Sequence, residues 1–164
     1  MVVLQSRRIT RGGVEMINVA SQRSRQHFDS GYYCAESVLL AIAESQGIES
    51  DLIPRIATGF CSGVACTGGM CGAVSGAIMG ISLVVGRDSP EESVQPSYFL
   101  VQQLISRFTS QNGSTQCPQL IECDLGSEEG QRAYIENNWI RRCQHCVEDA
   151  TSIGIALLAE ARKR

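Results

Sequence analysis

Cys71-Gly72-Ala73-Val74-Ser75-Gly76-Ala77-Ile78-Met79-Gly80-Ile81-Ser82-Leu83-Val84-Val85 is the stretch that decides the fold. It lies within a charge-free segment from Ile56 to Gly86, and its apolar part, Ala73 to Val85, runs for about 13 residues. A membrane-spanning helix needs about 20 predominantly apolar residues. The segment is therefore predicted as a buried helix of a soluble protein. Gly72, Gly76 and Gly80 fall four apart and share one helix face, with Ala73 and Ala77 beside them. Each interior glycine costs about 1 kcal/mol relative to alanine, so three on one face predict the close approach of another helix backbone. Internal packing is the expected use of that face, with a homodimer surface as the alternative.

Helical periodicity extends outward from this segment. Met16, Ile17, Ala20 and Phe28 mark a first amphipathic helix that ends before Asp29-Ser30-Gly31. Ala35, Val38, Leu39 and Ile42 follow helical spacing over Cys34 to Gln46, and Gly47 closes that helix. A shorter helix is expected over Asp51 to Thr58. Ser89-Pro90-Glu91-Glu92 reads as a helix start, with cap, proline and acidic first turn. The stripe that follows is Val101, Leu104, Ile105 and Phe108, ended by Asn112-Gly113-Ser114. Cys117-Pro118 opens a short helical turn. The last helix carries Cys143, Cys146, Val147, Ala150, Ile153, Gly154, Leu157, Leu158 and Ala161 on one face. No run of β-branched residues alternates as a strand would. The expected fold is all-α: a single-domain bundle of about six or seven helices around a buried small-residue central helix. The domain spans residues 14–164, behind a disordered extension over residues 1–13.

Composition narrows the function. The net charge is −3 and charged residues make up 19%, with no basic stripe interleaved with aromatics, so neither nucleic acid nor an anionic membrane is an expected partner. Met1 to Arg8 does not read as a secretory signal, because its apolar run is short and precedes the positive charges. The expected compartment is the cytoplasm. Eight cysteines in that setting point to metal binding or redox exchange rather than a disulfide framework. About half are expected to be small buried hydrophobes.

The thiols recur where helices begin. Cys34, Cys71 and Cys117 stand at predicted helix starts, and Cys143 and Cys146 lie in the first turns of the final helix. Helix N-termini offer free N–H donors and partial positive charge, which make a thiol there easier to deprotonate, and the thiolate is both nucleophile and metal ligand. If these starts converge, they form a site for a metal–sulfur centre or a reactive dithiol. Cys143-Gln144-His145-Cys146 is a lone C-x-x-C followed by Val147; without the histidine of a c-type attachment motif, haem is excluded. Cys61, Cys66 and Cys71 stand five apart, a spacing that matches neither ferredoxins nor zinc ribbons. His27 and His145 read as solvated side chains, and Asp124 as a cap or turn residue.

Four segments together resemble a known family: Gly31-Tyr32-Tyr33-Cys34-Ala35-Glu36-Ser37-Val38-Leu39, Ala57-Thr58-Gly59-Phe60, Cys71-Gly72-Ala73-Val74-Ser75-Gly76-Ala77, and Cys117-Pro118-Gln119-Leu120 with Asp124. They are similar to the redox-active proteins labelled C_GCAxxG_C_C, over roughly Phe28 to Ala150. The resemblance implies a small helical protein with four characteristic cysteines and a redox role. Those are Cys34, Cys71, Cys117 and one of the closing pair, with Cys143 favoured and Cys146 as an extra. Gly72 and Gly76 belong to the central motif and are carried over as cofactor-contacting positions. The family is also similar to a domain of split-Soret cytochromes, which hold an iron–sulfur cluster as well as haem. An iron–sulfur cluster on Cys34, Cys71, Cys117 and Cys143 is therefore the expected cofactor, with zinc as the alternative. Cys61, Cys66 and Cys123 stand where the family has glycine or other small residues.

Three functions follow in order of expectation. The first is a redox protein carrying a metal–sulfur centre and serving a protein redox partner. The second is a metal-free dithiol oxidoreductase that cycles Cys143–Cys146 or Cys34–Cys71. The third is a zinc-stabilised or purely structural helical module.

Overall fold

A computed structural model describes residues 11–163 and places eight α-helical elements and one 3-10 helix among them, with no strand. The elements are α1 (Arg11–Asp29), α2 (Cys34–Ser45), the 3-10 helix Arg55–Phe60, α3 (Cys61–Cys66), α4 (Gly72–Val85), α5 (Gln95–Asn112), α6 (Cys117–Ile121), α7 (Glu128–Glu136) and α8 (Ile140–Ala161). The extension expected over residues 1–13 lies mostly outside the described residues, and Arg11–Gly13 already belong to α1. No helix among the described residues is long and apolar enough to cross a membrane.

The glycine face of α4 packs inside the molecule. A Cβ added at Gly76 would stand 2.5 Å from the Ala35 carbonyl oxygen of α2, and one at Gly80 would stand 2.8 Å from Ile42 side-chain atoms. Glycine thus lets α4 lie backbone-close to α2, the most extensive helix pairing in the fold. Around this seam, α8 packs on α4 and α2, while α1 covers α8 and α2 and α5 covers α4 and α8. The largest buried side chains, Phe108, Leu39, Ile42, Ile81, Leu104, Ile121, Ile155, Leu157 and Leu158, fill the spaces between them.

Two predicted helix starts differ. Residues 51–54 are turns, and only Arg55–Phe60 coils, as a 3-10 helix. The Ser89-Pro90-Glu91-Glu92 signal is a turn that closes on itself: the Glu92 amide donates to Ser89 O and the Asp88 amide to Glu92 Oε2. The helix begins at Gln95, with Pro96 in its first turn supplying the proline expected six residues earlier. One helix was missed altogether. α7 is polar nearly all round, is capped by Ser127 Oγ accepting from the Gly130 amide, and has only Gly130 buried.

The segment called α3 has the opposite hand. Ser62, Gly63, Val64, Ala65 and Cys66 all take positive φ, between 52° and 68°. For L-residues such a conformation costs about 1–2 kcal/mol each, and Val64 is β-branched. Something downstream must hold it, and the candidate site shows what.

Candidate functional site

A cavity of about 180 Å³ opens beside the starts of α2, α4, α6 and α8, and six cysteines line it: Cys34, Cys66, Cys71, Cys117, Cys143 and Cys146. Apart from Tyr33, Ser62, Gln131 and Tyr134, the rest of its wall is hydrocarbon and glycine, including Phe28, Leu120, Ile121 and Leu125; among the described residues no carboxylate or imidazole side chain lines it. Cys34 is the first residue of α2, Cys71 caps α4, Cys117 opens α6, and Cys143 and Cys146 project from α8.

Local bonding explains how distant stretches arrive together. Met70 and Gln116 form an isolated antiparallel bridge, in which the Cys71 amide donates to Thr115 O at 2.7 Å and the Cys117 amide to Gly69 O at 3.0 Å. Cys71 and Cys117 are thereby clamped in adjacent segments. The left-handed turn of α3 fits under this clamp. Gly63 must lack a side chain there, because an added Cβ would fall 2.7 Å from Cys117 Cβ and 3.2 Å from its sulfur. The Gly69 amide donates to Gly63 O at 2.9 Å and closes the turn. Strained backbone concentrates where a site over-determines it, and this turn delivers Ser62 and Cys66 to the cavity wall.

Glu36 holds the other side. Its Oε2 accepts from the Tyr33 amide at 2.9 Å, and its Oε1 from the Thr58 hydroxyl at 2.6 Å. That carboxylate, 8% exposed, ties the start of α2 to the 3-10 helix and so sets Cys34 beside Cys61. Gly72 lines the cavity; an added Cβ there would collide with Cys34 Sγ. Gly76, grouped with it in the motif, lies instead in the α2–α4 seam.

Cys71, Cys117 and Cys143 are harder to ionise than their positions near helix starts predicted. Cys71 is pushed well above the ordinary thiol range, first by its hydrogen bond with Cys146 and then by burial, although the Ala73 and Val74 amides oppose this. Burial, then the neighbouring charges of Cys71, Cys143, Cys123 and Cys66, push Cys117 up to about 12. Cys143 is pushed up to about 11 by burial, against a lowering hydrogen bond from the Tyr134 hydroxyl, which donates to Cys143 Sγ at 3.5 Å. Tyr134 is itself raised, by burial first and then by Cys143. The correction has a simple cause. Helix amides favour one anion locally, but burial and then the neighbouring thiols disfavour it more.

The remaining candidates separate cleanly. Cys61 is buried and Cys123 half-buried, and neither lines the cavity, although each is electrostatically coupled to a cysteine that does. All eight cysteines are free thiols. His27 pairs with Glu44 at 3.0 Å and His145 stands 3.8 Å from Glu148, both away from the cavity wall. Asp124 is a turn residue, its Oδ1 accepting from the Gly126 amide. Cys66 and Tyr134 are the site residues that sequence reasoning missed. The strained turn leaves no local pattern, and the cue for Tyr134 lay in a helix too polar to recognise.

A helical bundle with a buried, thiol-lined cavity is the class of protein defined by this fold and site. The chain belongs to the family described as "Putative redox-active protein (C_GCAxxG_C_C)", whose model matches residues 32–156 and so takes in every cysteine. The chain is also similar to an uncharacterized protein of Archaeoglobus fulgidus, 27% identical over 159 residues that cover 91% of this chain and 99% of that one. No solved structure matches it significantly.

Proposed function

We propose that this protein is a thiol-based redox protein whose cavity cysteines Cys34, Cys71, Cys117 and Cys143 hold a metal–sulfur centre, an iron–sulfur cluster first and zinc second. The observation that carries this reading is that cysteines from four distant stretches line one buried cavity without a carboxylate or imidazole among them. Thiolates without harder ligands select soft and borderline metals. The donor chemistry fits, although among the described residues no three metal-binding side chains stand close enough to hold an ion as they lie.

A bound cluster would supply one-electron transfer at a potential set by its surroundings. The chain's residues do the rest. The apolar wall of Phe28, Leu120, Ile121 and Leu125 excludes water. The Tyr134 hydroxyl aims a hydrogen bond at the Cys143 sulfur. The Met70–Gln116 bridge fixes the spacing of two ligands. Each ligating thiol must surrender its proton, so metal uptake should tighten as pH rises. A cytoplasmic setting, with thiols kept reduced and a redox partner protein supplying electrons, suits this reading.

Iron and acid-labile sulfide analysis of anaerobically purified protein, with its visible spectrum, is the test. Stoichiometric iron and sulfide, with charge-transfer absorption lost in Cys71→Ser and Cys117→Ser, is expected. A colourless, iron-free protein that also takes up no cluster on reconstitution overturns the iron–sulfur reading, and zinc analysis then decides the second.

A metal-free dithiol reading has its own support. The Cys71 and Cys146 thiols both line the cavity and act on each other strongly enough to raise Cys71, a pairing different from the Cys143–Cys146 and Cys34–Cys71 couples that spacing suggested. Reversible loss of two thiols at Cys71 and Cys146, in protein free of metal as isolated, would favour it over the first reading.

A further inference from the structure

The cavity engages six of the eight thiols, and Cys61 is left outside it with one sulfur neighbour of its own. Cys34 packs against the small buried cluster that Cys61 forms with Ala35, Leu39 and Ala57. Gly72 supplies the space the two cysteines share, since an added Cβ would meet Cys34 Sγ and lie 3.1 Å from Cys61 Cα. The Glu36 bridge between Tyr33 and Thr58 locks the two backbone segments that carry them. The pair is also asymmetric. Cys34 is half-buried and faces the cavity, whereas Cys61 is 4% exposed and faces Ala57 O at 3.7 Å.

We propose that Cys34 and Cys61 form an oxidisable couple, in which Cys34 meets hydrogen peroxide at the cavity and Cys61 resolves it as an intramolecular disulfide. In the first step the Cys34 thiolate attacks one peroxide oxygen; an S–O bond forms, the O–O bond breaks, and the departing oxygen takes a proton and leaves as water. Cys34 is then a sulfenic acid. In the second step the Cys61 sulfur attacks the Cys34 sulfur; the S–S bond forms, the S–O bond breaks, and the hydroxide leaves as water with the proton Cys61 gives up. Two thiols lose two electrons in all, and one peroxide becomes two waters. The disulfide withdraws Cys34 from the cavity. On the reading of Cys34 as a metal ligand, on which only this consequence rests, oxidation removes one ligand and releases the centre.

Full-length protein, reduced and stripped of metal, is treated with one equivalent of hydrogen peroxide. Residual thiols are alkylated, and non-reduced peptides are mapped by mass spectrometry. The expected result is loss of two thiols per oxidised chain, found in a peptide pair linked through Cys34 and Cys61. Cys61→Ala should instead leave Cys34 as a sulfenic acid that a dimedone probe captures. Cys34 bridged to another cysteine, or Cys34 and Cys61 both still alkylated in wild-type protein, overturns the couple without recourse to the variant. Metal analysis before stripping keeps the two proposals apart: a Cys34–Cys61 link in protein that never held metal upholds the couple and sinks the metal centre. Bound metal without that link does the reverse.

Discussion

At Cys143 two opposing influences meet on one sulfur. Burial in the cavity wall pushes its thiol up to about 11, while the Tyr134 hydroxyl, donating at 3.5 Å, pulls it down. An ordinary thiol titrates at about 8.5, so at pH 8 the thiolate fraction of Cys143 in metal-free protein is smaller on the order of a hundredfold. Alkylation by iodoacetamide, which needs the thiolate, should be slowed to match. A hydrogen bond to a charged group contributes about 1.5–3 kcal/mol. Tyr134→Phe should therefore slow alkylation of Cys143 by about a further tenfold while far-UV circular dichroism stays unchanged. Unaltered Cys143 reactivity in that variant would show that the hydroxyl does not tune the sulfur.

At the level of elements, α2, α4 and α8 were legible because a helix buried on one face writes its period into the sequence. Ala35, Val38 and Ile42 on α2 meet Gly76 and Gly80 on α4 through that pattern. Gly76→Ala should destabilise the protein by about 1–3 kcal/mol, despite alanine's better helix propensity, because the Ala35 carbonyl at 2.5 Å is backbone and cannot move aside. Thermal unfolding would show it, and an unchanged Tm would mean α2 and α4 do not sit this close. The four cavity cysteines at helix starts could also be picked from the sequence. What could not be read is whatever long-range contacts impose. The left-handed turn over Ser62–Cys66 exists because Gly63 must admit Cys117 and Gly69 must close on it; no local spacing encodes that, so Cys66 was left without a role. Ala65, exposed and at φ 52°, exerts little packing there. Ala65→Gly should relieve about 1–2 kcal/mol of left-handed strain against about 0.5–1 kcal/mol of added chain entropy. The net result is a Tm raised by a few degrees, and a fall would argue that the turn is not left-handed at that residue.

Over the whole molecule, one cavity gathers most of the thiols that the bundle must keep protonated when no metal is present. Cys117, up to about 12, and Cys143, up to about 11, titrate later in the folded chain than at the ordinary thiol value of about 8.5, and Cys71 is shifted in the same direction. Below about pH 8.5 both folded and unfolded chains hold these protons, and the thiols leave stability unaffected by pH. Above it the unfolded chain releases protons that the folded chain retains, so the folded state loses stability with each further unit of pH. The loss continues until the folded thiols themselves ionise, near pH 11 to 12. Metal-free, reduced protein should accordingly show a Tm that is flat up to about pH 8.5 and falls through about pH 11, by about 2–4 °C for each kcal/mol lost in a chain of this size. Substitution at the cysteines assigns the slope to sulfur. Cys143→Ser and Cys117→Ser, which remove the titrating group and keep a small polar side chain, should each flatten the decline. A wild-type slope retained in both variants would place the alkaline sensitivity outside these two thiols and break the link between thiol burial and the stability of the bundle.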